Sequence, residues 1–202
     1  MNDEEQPIRF ALPARRIPPI DRLALRDSPS RWIDFQYRFE CKPSGEAIQL
    51  LIDHACWEEL LRHARHFEQI EQGGLLLGRT SAEQVPSKRG EEEIVWICQS
   101  LGSPVAGDAV SWRLDADQWG ELMARAVQRH PGLEIVGWYH THPGLGIFLS
   151  EQDLFVASHF FPAPYQLSLV IDPVRGLAGA FLMVAGKATP LAGFQLLEFE
   201  GA

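Results

Sequence analysis

The 202-residue sequence predicts an α/β fold: a mixed central β-sheet flanked by helices and preceded by an N-terminal extension. Three observations predict it. Strand-like apolar runs recur along the chain, and they are interleaved with segments whose apolar residues fall at helical spacing. The apolar share of 46% and charged share of 22% are ordinary for a globular chain. A chain of this length buries about two thirds of the surface its unfolded form exposes, enough for a core of its own.

Residues 1 to about 30 carry five of the fourteen prolines and little periodicity, which reads as an extended arm or a partly disordered lead-in. "RWIDFQYRFEC" (31–41) alternates aromatic and polar residues like a half-buried strand added to the main domain. Residues 1–46 are therefore assigned to the extension, an arm plus a strand, and residues 47–202 to the main domain. There "AIQLLID" (47–53) reads as a strand. "HACWEELLRHARH" (54–66) reads as a helix, with Cys56, Leu60, Leu61 and Ala64 on one face and Asp53 placed to cap it. "EQGGLLLGRT" (71–80) suggests a buried strand, residues 81–92 a polar loop, and "EIVWICQSL" (93–101) the returning partner of a hairpin. A flexible stretch follows. The segment 116–130 then places Trp119, Leu122, Met123 and Ala126 on one helical face. "LEIVGWYHTHP" (133–143) reads as a strand stopped by Pro143, and "EQDLFVASHFF" as a helix with Ser150 at its N-cap. "YQLSLVIDPV", "GLAGAFLMVAG" and "ATPLAGFQLLEF" close the chain as three strand-like runs.

Composition excludes several function classes. No apolar run approaches the roughly 20 residues that a membrane-spanning helix needs, so no membrane role is expected. The acidic start has no apolar stretch suited to a signal peptide, which makes the cytoplasm the expected location. Cys41, Cys56 and Cys98 form no CxxC pair, against both a disulfide framework and a cysteine zinc site. A net charge of -9 disfavours nucleic acid and fits a basic protein partner.

The chemistry concentrates in "HTHPGLGIFLSEQD", residues 140–153. On an extended segment, side chains two apart share a face, so His140 and His142 can direct both imidazoles at one atom. Asp153, three residues after Ser150, falls in the first turn of the next helix, so both side chains can face the same region. Two imidazole nitrogens and one carboxylate oxygen suit Zn²⁺ in a site with its fourth position open to water. Each half alone has a plainer explanation. Alternating histidines commonly sit on an exposed strand face, and Ser-x-x-Asp begins many helices as a cap. Their conjunction within fourteen residues favours the metal.

The same stretch resembles the signature of the JAMM, or MPN-plus, metalloproteases: His-x-His, seven residues, Ser, two residues, Asp, with Pro after the second His. "EQGGLLLG" resembles the family's upstream glutamate before its Gly-apolar-Gly strand, and "GWYHTHPG" and "VIDP" (170–173) resemble the proteasome-lid and signalosome deubiquitinases and their bacterial relatives. The similarity runs from about residue 47 to 186 or further. The resemblance implies an MPN fold with His140, His142 and Asp153 as zinc ligands, Glu71 as general base and acid, and Ser150 as oxyanion donor. Residue chemistry agrees: zinc brings the pKa of its water to about 7, a carboxylate takes that proton, and a hydroxyl meets charge on the carbonyl oxygen. Taken alone, Glu71 and the nearby Glu68 read equally as solvated residues after a helix.

The resemblance further implies a zinc isopeptidase that removes or trims a ubiquitin-like modifier, in a bacterial conjugation pathway with E1-like and E2-like partners. Residues 99–111 sit where relatives carry an insertion that pairs with the substrate's tail, and the second family insertion is short here. The alternatives are a zinc peptidase of another peptide and a non-catalytic MPN scaffold, from which the intact ligand set argues away. His54, His63, His66, His130 and His159 lie outside the spacing and read as surface or structural, and Asp172 as a strand-end or turn residue.

Overall fold

The computed structural model describes residues 28–37, 48–81, 93–105, 107–109 and 111–198. The first 27 residues of the arm, the end of the 31–41 run with Cys41, and the polar loop 82–92 lie outside the described residues. The strands are β1 (Ser30–Asp34), β2 (Ile48–Asp53), β3 (Gly73–Thr80), β4 (Glu93–Gly102), β5 (Glu134–Thr141), β6 (Leu167–Asp172), β7 (Leu177–Val184), β8 (Lys187–Pro190) and β9 (Gly193–Leu197). The helices are α1 (His54–His66), α2 (Ala116–Arg129) and α3 (Glu151–Phe160). No helix among the described residues is long and apolar enough to cross a membrane.

The strands form one mixed sheet in the order β1-β9-β2-β4-β3-β5-β6-β7-β8. It curls until its ends meet: past β1, Phe35 N–H donates to Ala192 O and Gln36 N–H to Ala178 O on β7. The Tyr37 hydroxyl reaches the carbonyls of Ala180 and Leu191 at 2.9 and 2.5 Å. One expectation is corrected here. "ATPLAGFQLLEF" is two strands rather than one, because the chain leaves β8 at one border and Leu191–Ala192 carry it across the seam to β9 beside β1. Periodicity does not register that break, since Leu191 stays as buried as a strand residue.

Two cores flank the sheet. Inside the curl, Cys56, Leu60 and Ala64 of α1 pack on Ile52, Val95, Ile97, Leu169 and Phe194. A fully buried leucine such as Leu60 contributes about 1.5–3 kcal/mol. On the other face, Trp119, Leu122 and Met123 of α2 and Val156 and Phe160 of α3 close over Leu75, Leu77 and Trp138. Asp53 occupies the N-cap position of α1, but its side chain makes no capping bond. It instead accepts from Trp96 Nε1 at 2.6 Å.

A β-bulge prepares the site. The β3–β5 register runs Leu76↔Gly137 and then Leu77↔Ile135, leaving Val136 unpaired. Ile135 and Trp138 therefore face the α2–α3 layer, while Val136 joins the inner core. A bulge of this kind re-aims every side chain beyond it, here including His140. Gly137 is required at the bend, because a Cβ there would lie 2.2 Å from Leu167 O on the neighbouring β6.

Candidate metal centre

His140 is the penultimate residue of β5, and His142 follows the strand's last residue on the same face. Ser150 is the N-cap of α3. Its hydroxyl accepts from Asp153 N–H at 3.2 Å, and Asp153 Oδ2 accepts from Ser150 N–H and Oγ–H, both at 2.7 Å. This reciprocal capping box is built from the two residues the motif supplies. It turns the Asp153 carboxylate back toward the strand.

The three side chains converge. His140 Nε2 and His142 Nε2 lie 3.0 Å apart, and Asp153 approaches them with Oδ1 3.3 Å from His140 Nε2 and Oδ2 3.7 Å from His142 Nε2. Candidate ligand atoms from all three lie within 4.8 Å of one another, and all three residues are buried. His140 stacks on Trp138 with 4.5 Å between ring centroids. Complete burial pushes the pKa of His140 down, against the pull of Asp153, so its imidazole is neutral. Burial alone would raise Asp153; the neighbouring histidines and the Ser150 donor outweigh it and hold the carboxyl well below the usual carboxylate range. A metal takes imidazole in its neutral form and carboxylate in its ionised form, and the shifts of His140 and Asp153 run in those directions. The donor set therefore fits a zinc ion.

Glu71 comes from the segment just before β3. Beyond the pair Gly73↔His140, Gln72 N–H donates to Thr141 Oγ1 and Thr141 N–H to Gln72 O, which sets Glu71 opposite His142. Its backbone is tied to the 103–115 loop by Glu71 N–H to Asp108 O at 2.6 Å and Gly107 N–H to Glu71 O at 3.0 Å. Burial pushes the carboxyl pKa up to about 7; His142 pulls it down, Asp153 raises it, a hydrogen bond from the Trp112 backbone lowers it, and Asp108 raises it. A carboxyl poised there can both take and return a proton near neutral pH.

These groups share a cleft of about 560 Å³, lined by Glu71, His142, Ser150 and Asp153 and walled by Trp112, Leu145, Phe148 and Phe155. The expected ligands, base and hydroxyl donor are thus brought to one place, with the Ser150 hydroxyl engaged by Asp153. The other histidines are elsewhere: His63 Nδ1 meets the Tyr139 hydroxyl at 3.0 Å and His159 Nδ1 the Phe155 carbonyl at 2.9 Å. Asp172 lies outside the cluster and accepts from Val174 and Arg175 N–H, the turn role expected of it. Trp112, which positions Glu71, and Gly146, whose carbonyl meets His142 Nδ1 at 3.2 Å, were not singled out by sequence reasoning. For Gly146 a signal existed in the Gly-x-Gly that follows His142.

Residues 47–161, more than half of the chain, match the family model described as JAB1/Mov34/MPN/PAD-1 ubiquitin protease. COP9 signalosome complex subunit 5 of Kluyveromyces lactis is 32% identical over 143 residues, 69% of this chain and 35% of that protein. The 26S proteasome regulatory subunit rpn11 of Schizosaccharomyces pombe is 29% identical over 129 residues, 63% of this chain and 39% of that protein. The chain thus covers well under half the length of these two relatives. In fold it is similar to a solution structure of a protein from Desulfitobacterium hafniense, with a TM-score of 0.54 and 21% identity over 71% of this chain and 90% of that one.

Proposed function

The chain belongs to the JAB1/Mov34/MPN/PAD-1 ubiquitin protease family, and on that premise we propose that it is a zinc-dependent isopeptidase that removes or processes a ubiquitin-like modifier at its C-terminal tail. The observation that carries the proposal is the convergence of His140, His142 and Asp153 beside a cleft that His142 and Asp153 line together with Glu71 and Ser150. In this proposal His140, His142 and Asp153 hold the zinc. Bound there, the ion would supply the Lewis acidity that activates water and polarises an amide carbonyl.

The chain's own groups do the rest. Glu71 takes the proton of the attacking water and later delivers it to the leaving amine, a transfer worth about 10²–10⁴-fold in rate. The Ser150 hydroxyl, once turned from Asp153, donates to the carbonyl oxygen as negative charge builds on it. Trp112, Leu145, Phe148 and Phe155 wall the cleft and limit water around the reacting amide. The protease domain is residues 47–202, and the extension 1–46 contributes β1 to the sheet. The setting we propose is the cytoplasm, with a ubiquitin-like protein as substrate and E1-like and E2-like proteins as pathway partners.

The test is cleavage of a ubiquitin-like protein fused or conjugated through its C-terminus, assayed with the zinc-loaded chain. Cleavage that requires zinc and is lost in Glu71→Ala supports the assignment. A folded protein that binds about one zinc per chain yet cleaves neither substrate would sink it, and one that binds none would be a scaffold.

A further inference from the structure

Asp172, at the end of β6, is fully buried, and both of its carboxylate oxygens are used. Oδ1 accepts from Val174 N–H at 3.1 Å, Arg175 N–H at 3.0 Å and Gly144 N–H at 3.0 Å, and Oδ2 accepts from Gly146 N–H at 2.8 Å. Arg175 Nε lies 3.8 Å from Oδ2. The bonds to Val174 and Arg175 shape the turn that Asp172 begins. Those to Gly144 and Gly146 do not, because these residues lie 28 and 26 positions earlier, in the loop directly after His142. Gly144 and Gly146 have φ of 72° and 82°, a left-handed backbone that lets alternate N–H groups point at a single anion.

The carbonyl of Gly146 faces His142 Nδ1 at 3.2 Å. A carbonyl only accepts, so Nδ1–H is the donor of this contact, and Nε2 is the nitrogen left to face a metal. Nε2 is the atom that faces His140 and Asp153. His140 has no such partner: among the described residues no protein group bonds its Nδ1, and stacking on Trp138 holds its ring. The two imidazoles are therefore oriented by different means. Only His142 depends on the loop.

We infer that Asp172 is a positioning residue for the metal site. Through Gly144 and Gly146 it holds the loop so that the Gly146 carbonyl locks His142 in the Nδ1–H tautomer with Nε2 free to coordinate. Ile147, buried against Val170 and Phe181, anchors the far end of the same loop but makes no contact with the imidazole that would select a tautomer. The link to zinc affinity rests on the zinc assignment proposed above. The tautomer does not, since the carbonyl that selects it belongs to the protein itself.

The experiment compares full-length wild type with Asp172→Asn, whose amide NH₂ faces backbone donors in place of an acceptor. Zinc affinity is measured by competition with a chromophoric chelator, and the histidine tautomers of the zinc-free proteins by long-range ¹⁵N–¹H NMR, with His142→Ala assigning the signal. Loss of an outer hydrogen-bond partner of a ligating histidine weakens metal binding about 10–100-fold, and that loss is expected here. His142 should pass from Nδ1–H to a mixture of tautomers while His140 is unchanged. Should Asp172→Asn not fold, amide exchange in wild type decides: Gly144 and Gly146 are expected to be as protected as Val174 and Arg175. The inference is overturned by unprotected glycine amides, by an Nε2–H tautomer of His142 in wild type, or by a folded Asp172→Asn with unchanged tautomers and a zinc Kd within about twofold of wild type. Wild type that shows the tautomer and the protection but binds no zinc would uphold the positioning role and refute the zinc assignment.

Discussion

Replacing Glu71 by Gln should make the protein both inactive and more stable. Glu71 is 5% exposed, and the pKa of its carboxyl is pushed from an ordinary 4.5 up to about 7, first of all by burial. A raised carboxyl pKa means that the folded state binds a proton more tightly than the unfolded chain. The resulting stabilisation is complete below pH 4.5 and is lost as the pH rises through about 7. Unscreened, that difference is worth about 3 kcal/mol at ~1.4 kcal/mol per pH unit. Glu71 borders an open cleft, so screening by solvent reduces it to about 1–2 kcal/mol. Glutamine is nearly isosteric, keeps an acceptor for the Trp112 N–H and carries no charge to desolvate. At pH 8 the zinc-free Glu71→Gln protein should therefore melt about 2–8 °C above wild type, and at pH 4.5 the two should coincide.

Activity should move the other way, falling about 10²–10⁴-fold in the zinc-loaded enzyme as the proton carrier is lost. The assays are thermal unfolding of the zinc-free proteins across pH 4.5–8 and turnover of a ubiquitin-like fusion. A Glu71→Gln protein less stable than wild type at pH 8, or a stability difference that ignores pH, would refute the burial argument. Retained turnover would refute the catalytic one.

His142→Ala should abolish the zinc-dependent rise in melting temperature. In wild type that rise corresponds to about 4 kcal/mol, or ~8–16 °C, when free zinc is a thousandfold above Kd; a rise that survives the substitution would place the zinc elsewhere. Ser150→Ala removes the cap of α3 and the hydroxyl bonded to Asp153, and should cost about 1 kcal/mol by denaturant titration and about 10²–10³ in turnover. If the rate falls only as far as zinc occupancy does, Ser150 serves to hold Asp153 and nothing more. The pKa of Asp53 is pushed up to about 6 by burial, partly offset by its bond to Trp96, so wild-type stability should fall as the pH rises from about 4 through 6. Solvent screening limits that fall to about 1–2 kcal/mol. Asp53→Asn keeps an acceptor for Trp96 and should flatten this part of the profile in urea melts; an unchanged slope would exclude Asp53 as its source.

How much of this was legible follows from the range of each interaction. The helix faces and the β3–β4 hairpin rest on local periodicity, and so does the Ser150 cap, which is why "SEQD" announced it. The His140–His142 pair is equally local, two positions apart at the end of one strand. Register is not local. The bulge at Val136, which decides the face on which His140 lies, breaks an alternation that the letters "EIVGWYHT" do not mark, apart from the glycine. The seam that splits the last run into β8 and β9 exists only because the curled sheet brings its borders together. Asp53 stands at an N-cap position by sequence, yet Trp96 on a neighbouring strand outbids the helix N–H groups for its oxygen.

The same distinction explains why Glu71 could be picked out only by resemblance. Three adjacent strands, β3, β5 and β6, end at one border of the sheet. Gly73 pairs with His140, and Thr141 pairs with Ile171. Continuing both ladders by hydrogen bonds, Thr141 N–H to Gln72 O and His142 N–H to Ile171 O, aligns Glu71, His142 and Asp172, the last residue of β6, in a single row at the strand ends. The proposed proton carrier, ligand and positioning carboxylate are thus neighbours across the sheet though they lie 71 and 30 positions apart along the chain. A one-residue slip of either neighbouring strand would turn its carboxylate to the opposite face, because side chains alternate with period two. The tight approach of Gly137 to Leu167 and the bulge beside it fix both registers, so residues with no chemistry of their own determine whether the row forms.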